Sequence, residues 1–555
     1  MSQIPTNEDD VMLSDLRETI KANVLKHASD GHVLTGVDGN LIPRVFDFRA
    51  ILLEPHWLDT YAELFWKRFE SNLPFQICAM ESAGISLVSA IVMKSITRGT
   101  PVNGLYVRKS RKKHGLMKIL EGTPTKDPVI LVDDLINSGR TFEKQIKVLE
   151  EHGLAVSDLY ALLAFRTIDA YQFASKRGIG ITTEFTLGDF DLPLEQDPSP
   201  QPLGEAFEEV WRFRAPEPSH HIVAQKSAPV IDSERIYFGT DSGTFFALEQ
   251  STGAVAWSFE VVFHPTGKGI LSSPALFDGR IFFGAYDGNV YALDTKSGKK
   301  LWEYIDADWV GSSPSIAPEL GLLYIGLEFG LFGKRGGIAA LDMKDGSLVW
   351  QHRTSQFTHG SPLYIKEEGV VVIGSNNWIL YAHDAKTGEI RWEYPTGGDI
   401  KTKAAYDSKW RLIVCGSMDG NAYVLNARNG LPVYAKTTGA GIYSIPLIHD
   451  GVVYITSLDK HVYALDLDSF NERWKFQTNG RIFASPVLAE GSLWIGSNDG
   501  CLYELDPEKG TMRSYFQATE RVVNSIAYNA DTKCFFVPTC ANELYCLKKR
   551  PVTPE

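Results

Sequence analysis

An α/β domain built on a parallel sheet, followed by an all-β propeller of eight blades, is the fold this sequence predicts, and three observations predict it. Near residue 130 an apolar run meets two carboxylates and passes through a short polar loop into an amphipathic stretch. Past residue 192 the composition turns proline-rich and acidic. Beyond that, one pattern of alternating apolar residues and glycine turns recurs at spacings of 40 to 48 residues.

The first observation carries the most chemistry. Val129-Ile-Leu-Val132 reads as a buried parallel strand, with Asp133 and Asp134 at its carboxyl end and the loop Asn137-Ser138-Gly139-Arg140-Thr141 leading into an amphipathic helix over Phe142 to His152. Two adjacent acids at a strand end can accept hydrogen bonds from vicinal sugar hydroxyls. The loop can wrap a phosphate with its N–H groups and hydroxyls, helped by the positive end of the helix that follows. An Asp-capped turn after a core strand accounts for one acid and the serine, but not for the whole series. This pattern resembles the diphosphoribosyl-binding motif of type I phosphoribosyltransferases.

Upstream residues narrow the resemblance. Tyr106-Val-Arg108-Lys109-Ser-Arg-Lys112-Lys-His114-Gly115, followed by Leu120-Glu121-Gly122, is similar to the mobile catalytic loop of orotate phosphoribosyltransferases. Pro43-Arg-Val-Phe-Asp47-Phe48-Arg49 stands where that family has its Ser-Pro-aromatic segment, and the likeness covers roughly residues 30 to 190. It implies a magnesium-dependent transfer from phosphoribosyl diphosphate to a nucleobase, orotate-like or other. As pyrophosphate leaves an oxocarbenium-like ribose, Arg108, Lys109, Lys112 and His114 would neutralise its developing charge. The pyrophosphate loop falls at Glu81-Ser82-Ala83-Gly84, and Arg166 matches an arginine that faces the base, with a strand-end surface arginine as the equal alternative. Two departures stand out: Ala83 and Val37 take positions where the family carries lysine. The resemblance also implies a twofold homodimer sharing the mobile loop.

Residues 193–205 read as a linker, with Pro193, Pro198, Pro200 and Pro202 and no apolar period. They separate a first domain, residues 1–192, from repeats over residues 206–548 and a short tail, 549–555. The clearest repeat runs Ser272-Ser-Pro274, Arg280-Ile-Phe-Phe-Gly284, Asp287-Gly288, Val290-Tyr-Ala-Leu-Asp294, Ser297-Gly298 and Leu301-Trp302. Such alternation, split by Asp-Gly and Ser-Gly turns, predicts four short antiparallel strands. The second-strand element recurs at Ile236, Ile281, Leu323, Val371, Leu412, Val453, Leu493 and Cys534. A closing aromatic recurs at Trp211, Trp257, Trp302, Trp350, Trp392, Tyr434, Trp474 and Tyr515. The two series are out of step by one unit. A ring in which the strand at Glu208 to Phe213 completes the C-terminal blade resolves the offset and leaves no sheet edge open, where an open solenoid would not.

These copies resemble quinoprotein-type repeats named after pyrroloquinoline quinone. In that family the aromatic and the glycine chiefly lock blades together, so the quinone is not expected, and the propeller is expected to engage a protein partner. His359, Asn376, Asn377, His383 and His461 read as loop or blade-edge groups. A net charge of −13 and a pI near 5.6 argue against an extended nucleic-acid surface. No stretch is long enough to span a bilayer, the first ten residues are acidic, and six cysteines lack zinc spacing, so a cytoplasmic protein is expected. A non-catalytic sensor of phosphoribosyl diphosphate or nucleotide, acting through the propeller, is the competing expectation.

Overall fold

The computed structural model describes residues 8–27, 44–81, 84–108, 119–194, 206–215, 227–262, 269–330 and 333–550. They divide into two compact units, Met1–Gly204 and Glu205–Glu555.

The first unit opens with helix α1 (Glu8–Thr19) and a two-stranded antiparallel ribbon of β1 (Leu25–His27) and β2 (Arg44–Phe46). There follow α2 (Pro55–Phe69), β3 (Gln76–Met80), α3 (Gly84–Thr97), β4 (Gly104–Val107), β5 (Leu120–Glu121), β6 (Val129–Ile136), α4 (Arg140–Glu151), β7 (Val156–Ala164), the short α5 (Gln172–Ser175) and β8 (Gly180–Thr186). The sheet order is β5-β4-β3-β6-β7-β8, parallel throughout except for the β4–β5 pair. Strand β6 shows why both faces are covered. Ile130 and Val132 join a core with Tyr61, Phe65, Val88 and Ile91 on one side, whereas Val129 and Leu131 pack with Phe142, Ile146 and Leu149 on the other. Side chains alternate across a strand, so a continuous apolar run belongs in a sheet with helices on both faces. Each such aliphatic residue, fully buried, contributes about 1.5–3 kcal/mol.

In the second unit the described residues form eight four-stranded antiparallel sheets, which is the eight-bladed propeller that the repeats predict. The last sheet takes three strands from the C-terminal end and its fourth from β9 (Phe207–Arg214), which pairs with Glu543–Lys549 and sets Trp211 opposite Cys546. The offset between the two series is therefore the ring closure itself.

Six of the eight junctions use one device. The indole of Trp211, Trp257, Trp302, Trp350, Trp392 or Trp474 donates through Nε1 to a backbone carbonyl of the next blade, at 2.9–3.1 Å. The same ring lies against a glycine in the left-handed region there, so that a Cβ on Gly253, for example, would fall 2.5 Å from Trp211. At the junction after Tyr434 that glycine is replaced by Phe470, and the two rings stack at 4.7 Å.

The eighth junction corrects the sequence reading. The register that pairs Ala464 with Trp474 pairs Glu504 with Ser514, while Tyr515 faces Tyr503 one position on. A one-residue displacement moves a side chain to the opposite face of the sheet, so Tyr515 is not the closing aromatic of its blade. A buried polar cluster stands in its place: Glu504, 1% exposed, accepts from Ser492 Oγ at 2.7 Å, from Ser514 Oγ, and from Lys549 Nζ of the next blade at 2.5 Å. Burial alone would raise the Glu504 carboxyl, but Lys549 and the two serines outweigh it and hold the group below its ordinary value. A depressed carboxyl stabilises the fold above its unfolded pKa, and that contribution is lost as pH falls through the folded value. Lys549→Met should therefore destabilise the propeller at neutral pH by about 1–3 kcal/mol. It should also shrink the acid sensitivity of its unfolding, measured as midpoint in denaturant from pH 7 to pH 3. Identical slopes for variant and wild type would refute the assignment.

His383 is a second correction. It lies in the third strand of its blade with no exposed surface, where other blades carry leucine, and burial lowers its pKa to about 4. It is a neutral core residue rather than a loop group.

Candidate functional site

The strands β3 and β6 are neighbours, and the segments leaving their carboxyl ends, towards α3 and α4, open at the same edge of the sheet. In open parallel sheets that edge is where ligands bind. Glu81 follows β3 directly, its N–H bound to Val107 O at 2.8 Å. Gly84 begins α3 so close to the sheet that a Cβ would lie 2.3 Å from Ala79 Cβ. Strand β6 runs further than the sequence suggested, through both acids to Ile136. The reason is its partner: β7 continues alongside as far as Ala164, whereas β3 leaves the pairing after Cys78.

Asp133 and Asp134 are held by the backbone and by each other. Asp134 N–H donates to Asp133 Oδ1 at 3.0 Å, and Leu135 N–H to Asp134 Oδ1 at 2.8 Å. The phenol of Tyr61, from α2, donates to the Asp133 carbonyl at 3.0 Å. Burial pushes the Asp134 carboxyl above its ordinary range, against the pull of its hydrogen bonds with Asp133 and Leu135 and of the Arg49 charge.

Both acids line a cleft of about 690 Å³ together with Glu81, Thr141, Arg49 and Ser86. Of the residues singled out in the sequence, the cleft thus gathers Glu81, Asp133, Asp134 and Thr141. Asn137 is exposed and Ser138 half-buried on the connecting loop. Gly139 caps α4 at φ 80°, and no side chain caps the helix start, so first-turn N–H groups remain available to an anion. Nothing but glycine fits there, because a Cβ would meet the Phe173 ring at 2.2 Å. Gly139→Ala should cost about 2 kcal/mol, from the left-handed backbone and the clash together. Thermal unfolding of the first unit measures this; an unchanged midpoint would mean the loop adopts another course.

Other candidates lie elsewhere. Arg108, at the end of β4, spans Glu81 Oε1 at 3.2 Å and Glu121 Oε1 at 3.3 Å, and its N–H bonds Ile119 O at 2.8 Å, pinning together the two ends of the basic loop. It does not line the cleft. Arg166 is buried at the end of β7, beside Tyr171. Lys109, Lys112, His114, Ser82, Ala83, Val37 and the Arg140 side chain lie outside the described residues. Among the described residues there is no cluster of metal-ligating side chains and no helix long and apolar enough to cross a membrane. All six cysteines are buried and free.

A family model described as "Outer membrane protein assembly factor BamB" matches residues 207–376, 334–408 and 375–532, more than half of the chain. The chain belongs to this family. Within it, the crystal structure of BamB from Moraxella catarrhalis shares 17% identity and superposes with a TM-score of 0.50, covering 63% of this chain and 99% of that one. A europium-containing methanol dehydrogenase superposes at 0.52 with 15% identity, over 60% of this chain and 84% of that one. At these identities the BamB likeness is one of fold. The first unit is similar to different proteins. Orotate phosphoribosyltransferase of Neisseria meningitidis is 28% identical over 137 residues, 24% of this chain and 63% of the relative. That of Pyrococcus horikoshii is 30% identical over 120 residues, 21% and 62% respectively. The chain thus spans less than two thirds of the curated relatives it matches.

Proposed function

We propose that the first unit is a type I phosphoribosyltransferase domain that binds phosphoribosyl diphosphate with Mg²⁺ and transfers its phosphoribosyl group to a nucleobase, and that the propeller engages a protein partner. One observation carries the reading: two adjacent acids in the carboxyl-terminal half of a strand share a cleft with a third acid and with the uncapped start of a helix. Sugar hydroxyls suit the first pair, a terminal phosphate the second feature. The partial likeness to orotate phosphoribosyltransferases supports it, and the family's description as an outer-membrane protein assembly factor supports a propeller that handles other proteins.

Asp133 and Asp134 would orient the ribose through its hydroxyls, and residues 137–141 would hold the 5′-phosphate with main-chain N–H groups and the Thr141 hydroxyl. The carboxylates of Glu81, Asp133 and Asp134 are hard oxygen donors, the set Mg²⁺ takes with few protein ligands and the remainder from diphosphate and water. When bound, the ion would spread the charge of the departing pyrophosphate. Arg108, released from Glu81 and Glu121, would join Lys109, Lys112 and His114 against the same charge, with residues 81–84 framing the pyrophosphate and Arg166 on the base side. A twofold homodimer in the cytoplasm completes the proposal. It is supported by the exposed Ile85, Met93 and Ile96 along α3 and by six free thiols.

The second reading, a sensor that binds the donor without turning it over, is favoured by Ala83 and Val37 in place of lysines and by the engagement of Arg108 with two carboxylates. Incubating the protein with phosphoribosyl diphosphate, Mg²⁺ and a panel of bases, while following pyrophosphate, separates the two. Base-dependent release establishes the transferase, saturable donor binding without release establishes the sensor, and neither refutes both.

A further inference from the structure

The propeller holds a second site, and its geometry follows from a break in a repeated hydrogen-bond ladder. The segments entering the first strands are linked blade to blade through one serine position. Ala228 N–H donates to Ser273 Oγ at 2.8 Å, Ser273 N–H to Ser313 Oγ at 2.9 Å, and Ser313 N–H to Ser361 Oγ at 2.9 Å. Ile445 N–H resumes the series to Ser485 Oγ at 2.8 Å. In the blade between, the sequence reads Thr402-Lys403-Ala404 where its neighbours read Gly-Ser-Pro and Ser-Ile-Pro. Lys403 occupies the serine position, and an ammonium has no lone pair with which to continue the ladder.

Five consecutive blades face a cavity of about 230 Å³ at this point. Segments entering first strands of five blades converge only around the propeller axis. The other basic side chains at its wall already have partners. Lys401 pairs with Asp399 at 3.1 Å, and His359 lies between Asn376 at 2.8 Å and the buried Glu328 at 2.9 Å. Glu328 also accepts from Gly311 N–H at 3.2 Å. Among the described residues the Lys403 ammonium has no hydrogen bond and no ion pair. Burial holds its pKa below the ordinary lysine value, with no nearby carboxylate to oppose that. A lysine kept in such a place costs stability unless an anion meets it.

We infer that the axial cavity binds a small organic monocarboxylate, its carboxylate against Lys403 and the hydroxyls of Ser361, Tyr286 and Tyr443, its carbon chain against Leu271 and Ile445. Two features select this class over inorganic phosphate. One cation without a partner balances one negative charge, whereas a phosphate dianion calls for more. Apolar walls add affinity only for a ligand that carries carbon. Both tyrosines are kept protonated by burial and by the Glu328 charge, which leaves their hydroxyls as donors. The inference is independent of the proposed transferase site, which belongs to the other unit.

Calorimetric titration of the whole chain with sodium butyrate, and separately with inorganic phosphate, tests it. Butyrate should bind saturably at one site, and Lys403→Ser, the residue that five other blades carry at this position, should weaken it at least tenfold. Phosphate should give no saturable signal. Should the serine variant lose its cooperative thermal transition, Lys403→Met, which keeps the stem without the charge, carries the comparison. Absence of saturable butyrate binding, equal affinity in the folded variant, or Lys403-dependent binding of phosphate alone would each overturn the inference.

Discussion

Asp133→Asn combined with Asp134→Asn should abolish binding of phosphoribosyl diphosphate while leaving the first unit folded. The substitutions keep the size of both side chains and still offer an acceptor to Leu135 N–H, so the strand backbone that holds them survives. What disappears is charge. Hydrogen bonds to ionised acceptors contribute about 1.5–3 kcal/mol each, so losing two such pairs weakens the donor by roughly two to four orders of magnitude. Titration calorimetry with Mg²⁺ reads the loss, and circular dichroism confirms the fold. A double variant that binds as tightly as wild type would place the donor elsewhere. Desolvation raises the Asp134 carboxyl and an amide does not suffer it, so the variant should be no less stable than wild type.

Cutting the chain at residue 220 should destroy the propeller, whereas cutting at residue 200 should spare it. The shorter fragment loses β9 and with it Trp211 against Gly253, Phe213 against Phe246 at 5.0 Å, and the Arg214–Glu543 pair at 2.7 Å. Truncating one large core aromatic costs about 3–5 kcal/mol, so two of them match the whole stability of a typical domain. The strand Glu543–Lys549 would also be left with an open edge. Comparing the solubility and thermal transition of the two fragments decides it. Equal stability would mean that the ring does not depend on its closing strand.

Much of this was legible because repetition and strand chemistry are local. Eight second strands and their turns can be counted from residues such as Ile281 and Gly288, and the run Val129 to Val132 announces a buried strand without any tertiary knowledge, although its end lies past both acids, at Ile136. What was missed depends on partners far away in the chain. Tyr61 reads as an ordinary residue of an amphipathic helix until it meets the Asp133 carbonyl 72 positions on, and Arg49 enters the cleft from a segment noted only for its aromatics. Tyr515 misled because an aromatic one position from the expected place looks equivalent in a string of letters but faces the other way in a pleated sheet. Lys403 carried no signal at all, since the ladder it interrupts runs between repeats rather than along one.

The seam in the last blade also dictates an order of events on the ribosome. Arg214 and its partner Glu543 are 329 residues apart, so at about 5–20 residues per second the strand Phe207–Arg214 waits roughly 15–65 s for its neighbour to be synthesised. Throughout that interval seven blades can assemble, yet the nascent arc carries an unpaired strand at its leading end. Such an edge is a template for mispairing with another chain. Glu208 and Glu209, exposed on that strand beside Arg212 and Arg214, place charge on it, the means by which natural sheets discourage such pairing while an edge is bare.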